Sequence, residues 1–266
     1  MATYSTDFSE YTTGQAPADW TERWHSDVAS LSVLEDEELL GGKHLKLTAS
    51  AQDRYRATWD VLDSDEDRAD FEILAKGRID ESTGQLWVSG RISGGTTSET
   101  GYSLIVDDNV NQINLHRYDN ASSTNLTAVS FAPSVGTWYW IRFQCIGTAL
   151  KGKVWVDGDD EPETWTTETT DSALADAGAI GIGTFRQFDQ SWDFFSVGTG
   201  GDPAPGPSSG TDATATPSGV SATGSVGTVQ VNRDATVSVT GVSGTGAVGT
   251  VVVDVGGDAT ATPSGV

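Results

Sequence analysis

Paired carboxylates, clustered oxygen ligands and accessible tryptophans are the three chemistries this sequence has the residues for. Retaining hydrolysis of a glycosidic bond needs two acids about 5–5.5 Å apart, which on a strand means acids spaced by two so that they share a face. Asp63, Asp65 and Asp67 have that spacing, as do Asp70 and Glu72. The first set lies in the hydrophilic run Asp63-Ser64-Asp65-Glu66-Asp67 and reads as a solvated loop. The second flanks Phe71 on a segment whose Phe71, Ile73 and Ala75 share one face. Neither reads as an acid–base pair, and the expectation is a chain that is not an enzyme. Calcium, a hard cation, wants several oxygens from a compact loop. Asp107-Asp108-Asn109 and Asp157-Gly158-Asp159-Asp160-Glu161 could supply them, which makes Asp107, Asp108, Asp157 and Asp159 the candidate metal ligands. Neither stretch has EF-hand spacing, and acidic turns are common in a chain this acidic. The nine tryptophans invite a third chemistry, stacking of sugar rings on aromatic faces. Trp24, Trp59 and Trp165 stand beside polar residues or loop signals and are the candidate carbohydrate-binding rings; core packing is the expectation for most of the others. His25, His44 and His116 are scattered without metal-ligand spacing.

The elements that must position these residues are strands. Alternating apolar segments recur at Leu45–Thr48, Tyr55–Trp59, Phe71–Ala75, Leu86–Ile92, Tyr102–Val106, Gln112–Tyr118, Trp138–Ile146, Lys153–Val156 and Ala179–Gly183. Turn chemistry separates them, as in Gly41-Gly42, Gly94-Gly95 and Asp107-Asp108-Asn109. Many short strands with turns between them predict an all-β sandwich or jelly roll. Helical periodicity is nearly absent, and Asp171 to Ala177 reads as a turn or loop.

Residues 1–199 form this domain. Residues 200–211, Gly-Gly-Asp-Pro-Ala-Pro-Gly-Pro-Ser-Ser-Gly-Thr, read as a Pro/Gly-rich linker with a semi-extended backbone. From Asp212 the chain repeats itself: Asp-Ala-Thr starts recur at Asp212, Asp234 and Asp258, 22 and 24 residues apart, and the last copy is incomplete at Val266. A unit of this size, rich in Val, Thr, Ala, Ser and Gly, is too small to bury a core alone and must stack on copies of itself. The expectation for residues 212–266 is a repetitive β-structured stalk, closed as a homotrimer.

The formal charge of −23 disfavours nucleic acid and anionic membranes as partners. No stretch approaches eighteen apolar residues, so no span is expected to cross a membrane. The N-terminus, Met1-Ala2-Thr3-Tyr4-Ser5-Thr6-Asp7, reads as lacking a secretion signal. Cys145 is the single cysteine and sits in an apolar run, where a buried thiol is expected.

The opening Asp7-Phe8-Ser9-Glu10-Tyr11-Thr12-Thr13-Gly14-Gln15-Ala16-Pro17-Ala18-Asp19-Trp20 resembles the concanavalin A-like (LamG-like) jelly rolls of bacteriophage structural proteins. So do Gly136–Phe143 with Leu150–Gly158, and the closing Trp192–Gly198. The Gly-Val-Ser-Ala-Thr-Gly-Ser-Val-Gly-Thr-Val repeat is similar to tandem repeats appended to virion proteins. The resemblance implies that the N- and C-terminal strands pair, bringing Phe8 beside Phe194 and Phe195, and that Trp20, Trp138 and Trp155 are core residues. It implies a protein of the virion, assembled in the host cytoplasm among other virion proteins. Three roles stay open: a tail or head fibre component whose lectin-like domain touches host glycan, a capsid decoration protein, and a particle-borne polysaccharide-degrading enzyme.

Overall fold

The computed structural model describes residues 2–23, 29–49, 54–95, 97–185 and 189–207. Its strands are β1 (Thr3–Thr6), β2 (Trp20–Arg23), β3 (Ala29–Glu35), β4 (Lys43–Ala49), β5 (Tyr55–Trp59), β6 (Phe71–Ile79), β7 (Gln85–Ser93) and β8 (Thr100–Asp107). They continue with β9 (Gln112–Asp119), β10 (Ser122–Ser130), β11 (Trp138–Ile146), β12 (Ala149–Val156), β13 (Thr167–Thr170), β14 (Ala179–Thr184) and β15 (Gln190–Thr199). Every pairing is antiparallel. One sheet runs β13-β12-β11-β6-β15-β4-β3, with β1 also pairing β15; the other runs β10-β9-β8-β7-β14-β5-β2. The two form the jelly-roll sandwich expected from the sequence. The repeats from Asp212 onward, and the trimer expected of them, lie outside the described residues.

Alternation along each strand decides what faces inward. On β11, Tyr139, Ile141, Phe143 and Cys145 enter the core, while Trp138, Trp140, Arg142 and Gln144 stand on the outer face. Trp138 and Trp155 are therefore not members of the main core. Trp155 packs instead on the outside of the first sheet with Leu74 and Phe194. A bulge on β15 puts Asp193 between Trp192, opposite Gly77, and Phe194, opposite Lys76. That extra residue turns Trp192 and Phe195 into the core while Phe194 faces out. The chain ends do pair, with Thr6 opposite Phe195. Phe8 meets this region through Trp20, whose ring lies 6.0 Å from Phe8 and 5.3 Å from Phe195.

Within residues 200–211, read from the sequence as a semi-extended linker, Ala204 is buried on the outer face of the first sheet against Leu74, Trp155 and Phe194. Among the strands not anticipated from alternation, β1, β2 and β13 have four residues each, β10 reads Ser-Ser-Thr-Asn-Leu-Thr-Ala-Val-Ser, and β3, Ala29–Glu35, sends only Leu31 and Val33 fully into the core.

Candidate binding groove on the second sheet

Strand register assembles a groove on the outer face of the second sheet. Arg56 on β5 is opposite Gly183 on β14, Gly183 opposite Trp87 on β7, Trp87 opposite Ile105 on β8, and Ile105 opposite Asn114 on β9. One row of side chains thus crosses five strands. The next rows add Gln85 beside Asp107, and Tyr118 beside Ser123. Of these, Trp87, Ile105, Asn114, Gln85, Asp107, Tyr118 and Ser123 line a cavity of about 290 Å³ together with Arg54, His116 and Phe185, while Arg56 and Gly183 support it from beside.

Its floor is aromatic and held from both sides. Trp87 stacks on Tyr118 at 5.5 Å, and the Arg56 guanidinium lies over Trp87 at 4.3 Å. Gly183 makes that crossing possible, since a Cβ there would come within 2.7 Å of an Arg56 nitrogen. Arg56, 1% exposed, is neutralised by Glu99 at 2.8 Å, which also pairs with Arg54 at 3.1 Å. The Trp87 indole N–H donates to Gln85 Oε1 at 2.8 Å, and Gln85 Nε2 donates to Asp107. The other Asp107 oxygen accepts the Asn109 backbone N–H at 2.8 Å and that of Val110 at 3.3 Å. Phe185 stands at the rim, 42% exposed.

His116 Nδ1 lies 3.0 Å from Ser123 Oγ. Burial, reinforced by the nearby Arg56 charge, pushes its imidazole down to about 4. At neutral pH it is an uncharged hydrogen-bonding group. Asp107 is the one carboxylate among the described lining residues. The groove therefore offers a flat apolar floor with amide, hydroxyl and neutral imidazole groups around it, and its two charged lining groups are already partnered, Arg54 by Glu99 and Asp107 by Gln85 and the backbone N–H groups of its turn. That is a surface for a polar, uncharged ligand with both C–H faces and hydroxyls.

The sequence-predicted sugar tryptophans are not brought together. Trp59 is 4% exposed, stacks on Trp20 at 5.9 Å and donates its indole N–H to Asp19; it is a core residue with no face for a sugar, because every second residue of β5 points inward. Trp165 lies by the first sheet, half-buried, with the Lys153 ammonium 5.0 Å above its ring. Trp24 lies outside the described residues. The metal candidates divide between the two sheets. Asp107 caps its turn, and Asp108 accepts the Thr83 backbone N–H at 2.7 Å. Asp157 accepts the Trp140 indole N–H and pairs with Lys76, both at 2.8 Å, and Asp159 is exposed in the following turn. Calcium needs about six to eight oxygens. With Asp107 and Asp157 committed to amide, indole and ammonium partners, these turns do not fit it, and no group of three or more His, Cys, Asp or Glu among the described residues could hold a metal.

The carboxylates weighed for hydrolysis lie elsewhere too. Asp65 holds the Tyr4 and Thr199 hydroxyls, Asp70 accepts the Gly147 backbone N–H, and Glu72 bonds Arg142 and Gln144 on the first sheet. The groove residues that went unrecognised are Gln85, Trp87, Ile105, Asn114, His116 and Tyr118. Their signal is the outward-facing half of three consecutive predicted strands, a polar and aromatic set on one face.

No protein-family model matches the chain, and no curated protein matches it in sequence. Among solved structures, a Shewanella oneidensis MR-1 protein of unknown function is similar at 17% identity, covering 77% of this chain and 89% of that one, with a TM-score of 0.54. The carbohydrate-binding module CBM66 of Bacillus subtilis is 14% identical over 69% of this chain and 96% of that one, TM-score 0.48. A Bacillus licheniformis β-glucanase is 10% identical over 74% and 98%, TM-score 0.48. The first supports the sandwich fold; the other two are looser likenesses.

Proposed function

We propose that this chain is a non-enzymatic structural component of a bacteriophage particle, a fibre or adhesion protein whose jelly-roll unit binds a surface glycan in the groove of the second sheet. The observation that carries glycan binding is the groove itself. Trp87 and Tyr118 form its floor, Phe185 its rim, and Asn114, Ser123 and neutral His116 its polar wall. A sugar presents the same two chemistries, apolar C–H faces and hydroxyls. The particle role is supported by the repeats at Asp212, Asp234 and Asp258 and by the phage-type motifs of the opening and closing strands. In this reading residues 212–266 trimerise and join other virion proteins, and the jelly roll meets the host. The lone, committed Asp107 supports binding without hydrolysis, because an acid–base or nucleophile pair would need a second carboxylate.

The test is a panel of neutral bacterial oligosaccharides presented to the full chain, with Asn114→Ala/Phe185→Ala as the groove variant. Binding of a subset, weakened at least about tenfold by the variant (about 1.4 kcal/mol), is expected. A panel with no binder, or a binder indifferent to the variant, refutes the groove. Release of shorter sugars favours the polysaccharide-degrading alternative.

A further inference from the structure

We infer that residues 202–205, Asp-Pro-Ala-Pro, are a fastener that clamps the chain to the outer face of the first sheet, the face of the sandwich opposite the groove. Composition alone suggests a spacer, but the contacts are those of a docked strap. Ala204 is buried in a cluster with Leu74, Trp155 and Phe194, against which Trp140 and Leu40 also pack. The rings are ordered independently: Trp140 stacks on Trp155 at 6.3 Å and meets Phe194 edge-on at 5.8 Å. Aromatic-lined grooves suit proline-rich segments, whose fixed φ leaves little entropy to lose on docking.

Polar contacts fix the register. The Ala204 N–H donates to Glu72 Oε1 at 3.2 Å, and Ser196 Oγ donates to the Pro205 carbonyl at 2.7 Å. Glu72 is itself oriented by Arg142 and by Gln144 Nε2 at 2.8 Å, so the acceptor is in place before the strap arrives. Gly198 completes the seat. It faces outward on β15 opposite Glu72, and a Cβ there would come within 2.3 Å of the Asp202 carbonyl and 2.6 Å of that of Pro203. A side chain at this position and the strap cannot share the space.

The consequence is directional. The jelly roll carries the groove on the second sheet and residues 202–205 on the first. A pull on the C-terminal side is taken up by the strap before it reaches β15. This inference stands whether or not the groove's ligand is a glycan.

Amide hydrogen exchange on the full-length wild-type chain, read by NMR, tests it. The Ala204 amide is expected to exchange at least a hundredfold slower than in a free peptide of residues 198–207, with exposed Gly206 near the peptide rate. Gly198→Val should return Ala204 to the peptide rate while Cys145 stays unreactive to a thiol reagent, which reports an intact core. An unprotected Ala204 in the wild type overturns the inference, as does protection that survives Gly198→Val. Protection that disappears on dilution also overturns it, since the strap would then belong to a second copy. Should Gly198→Val expose Cys145, the wild-type exchange rate alone decides.

Discussion

Replacing His116 by glutamine should change how the fold responds to acid, by an amount the structure sets. Burial and Arg56 hold the folded imidazole near 4, against 6.5 for an ordinary histidine. Above about pH 7.5 the ring is neutral in both folded and unfolded chains and contributes nothing to pH dependence. As pH falls through 6.5 the unfolded chain takes up a proton that the folded chain refuses, so stability is lost progressively until pH reaches about 4. At about 1.4 kcal/mol per pH unit, the full loss is about 3 kcal/mol. Glutamine keeps a side chain able to bond Ser123 and does not titrate. Denaturant unfolding of both proteins, followed by tryptophan fluorescence at about pH 7.5 and 4.5, should therefore show the wild type losing about 2–3 kcal/mol more than His116→Gln over that interval. Parallel pH profiles, or a His116 NMR titration with a midpoint near 6.5, would refute the neutral-imidazole reading of the groove wall.

Asp193 works in the opposite direction. Burial is the main cause pushing its carboxyl up to about 6, beside the Lys76 ammonium at 2.9 Å. The folded chain binds this proton more readily than the unfolded one, so acidification from pH 7 to 5 should add about 1 kcal/mol of stability that Asp193→Asn lacks, read by the same unfolding assay. Trp59→Ala should cost about 3–5 kcal/mol by emptying the core beside Trp20 and Phe195, while any glycan affinity measured below its melting temperature stays unchanged. The Cys145 thiol, buried and pushed up to about 12, should react with a disulfide reagent only at the rate of unfolding. Removal of divalent cations with a chelator should leave the melting temperature of the jelly roll where it was; a drop of several degrees would assign a metal to it.

The sandwich was legible because its inner strands alternate strongly. Segments such as Trp138–Ile146 and Tyr102–Val106 show their apolar face in the sequence, and the pairing of the chain ends followed from the motif at Phe8 and Trp192–Gly198. The edge strand β10 was not legible, since Ser122–Ser130 has little to bury. The faces were harder than the strands. Trp59, Trp138 and Trp155 look alike in sequence, yet their burial depends on strand phase and that of Phe194 on the Asp193 bulge, and neither is visible without cross-strand register. The groove was missed for the same reason. Arg56, Gly183, Trp87, Ile105 and Asn114 are neighbours only once five strands are aligned, and Asp107, picked as a metal ligand, belongs to the groove as a turn cap. Pro-Ala-Pro looks the same free or docked in the sequence; the burial of Ala204 shows only once the outward aromatic cluster of Trp155 and Phe194 is in place.

The central claim is that the second-sheet groove holds an uncut glycan. Its most direct measurement is a titration of the best-binding oligosaccharide into the isotope-labelled full chain, with the sugar recovered afterwards and sized. The expected result is a shift of the Trp87 indole, His116 and Asn114 signals, none at the Trp59 indole, and sugar of unchanged length. Shifts confined to Trp165 and the first sheet, or recovery of shortened sugar, would contradict it.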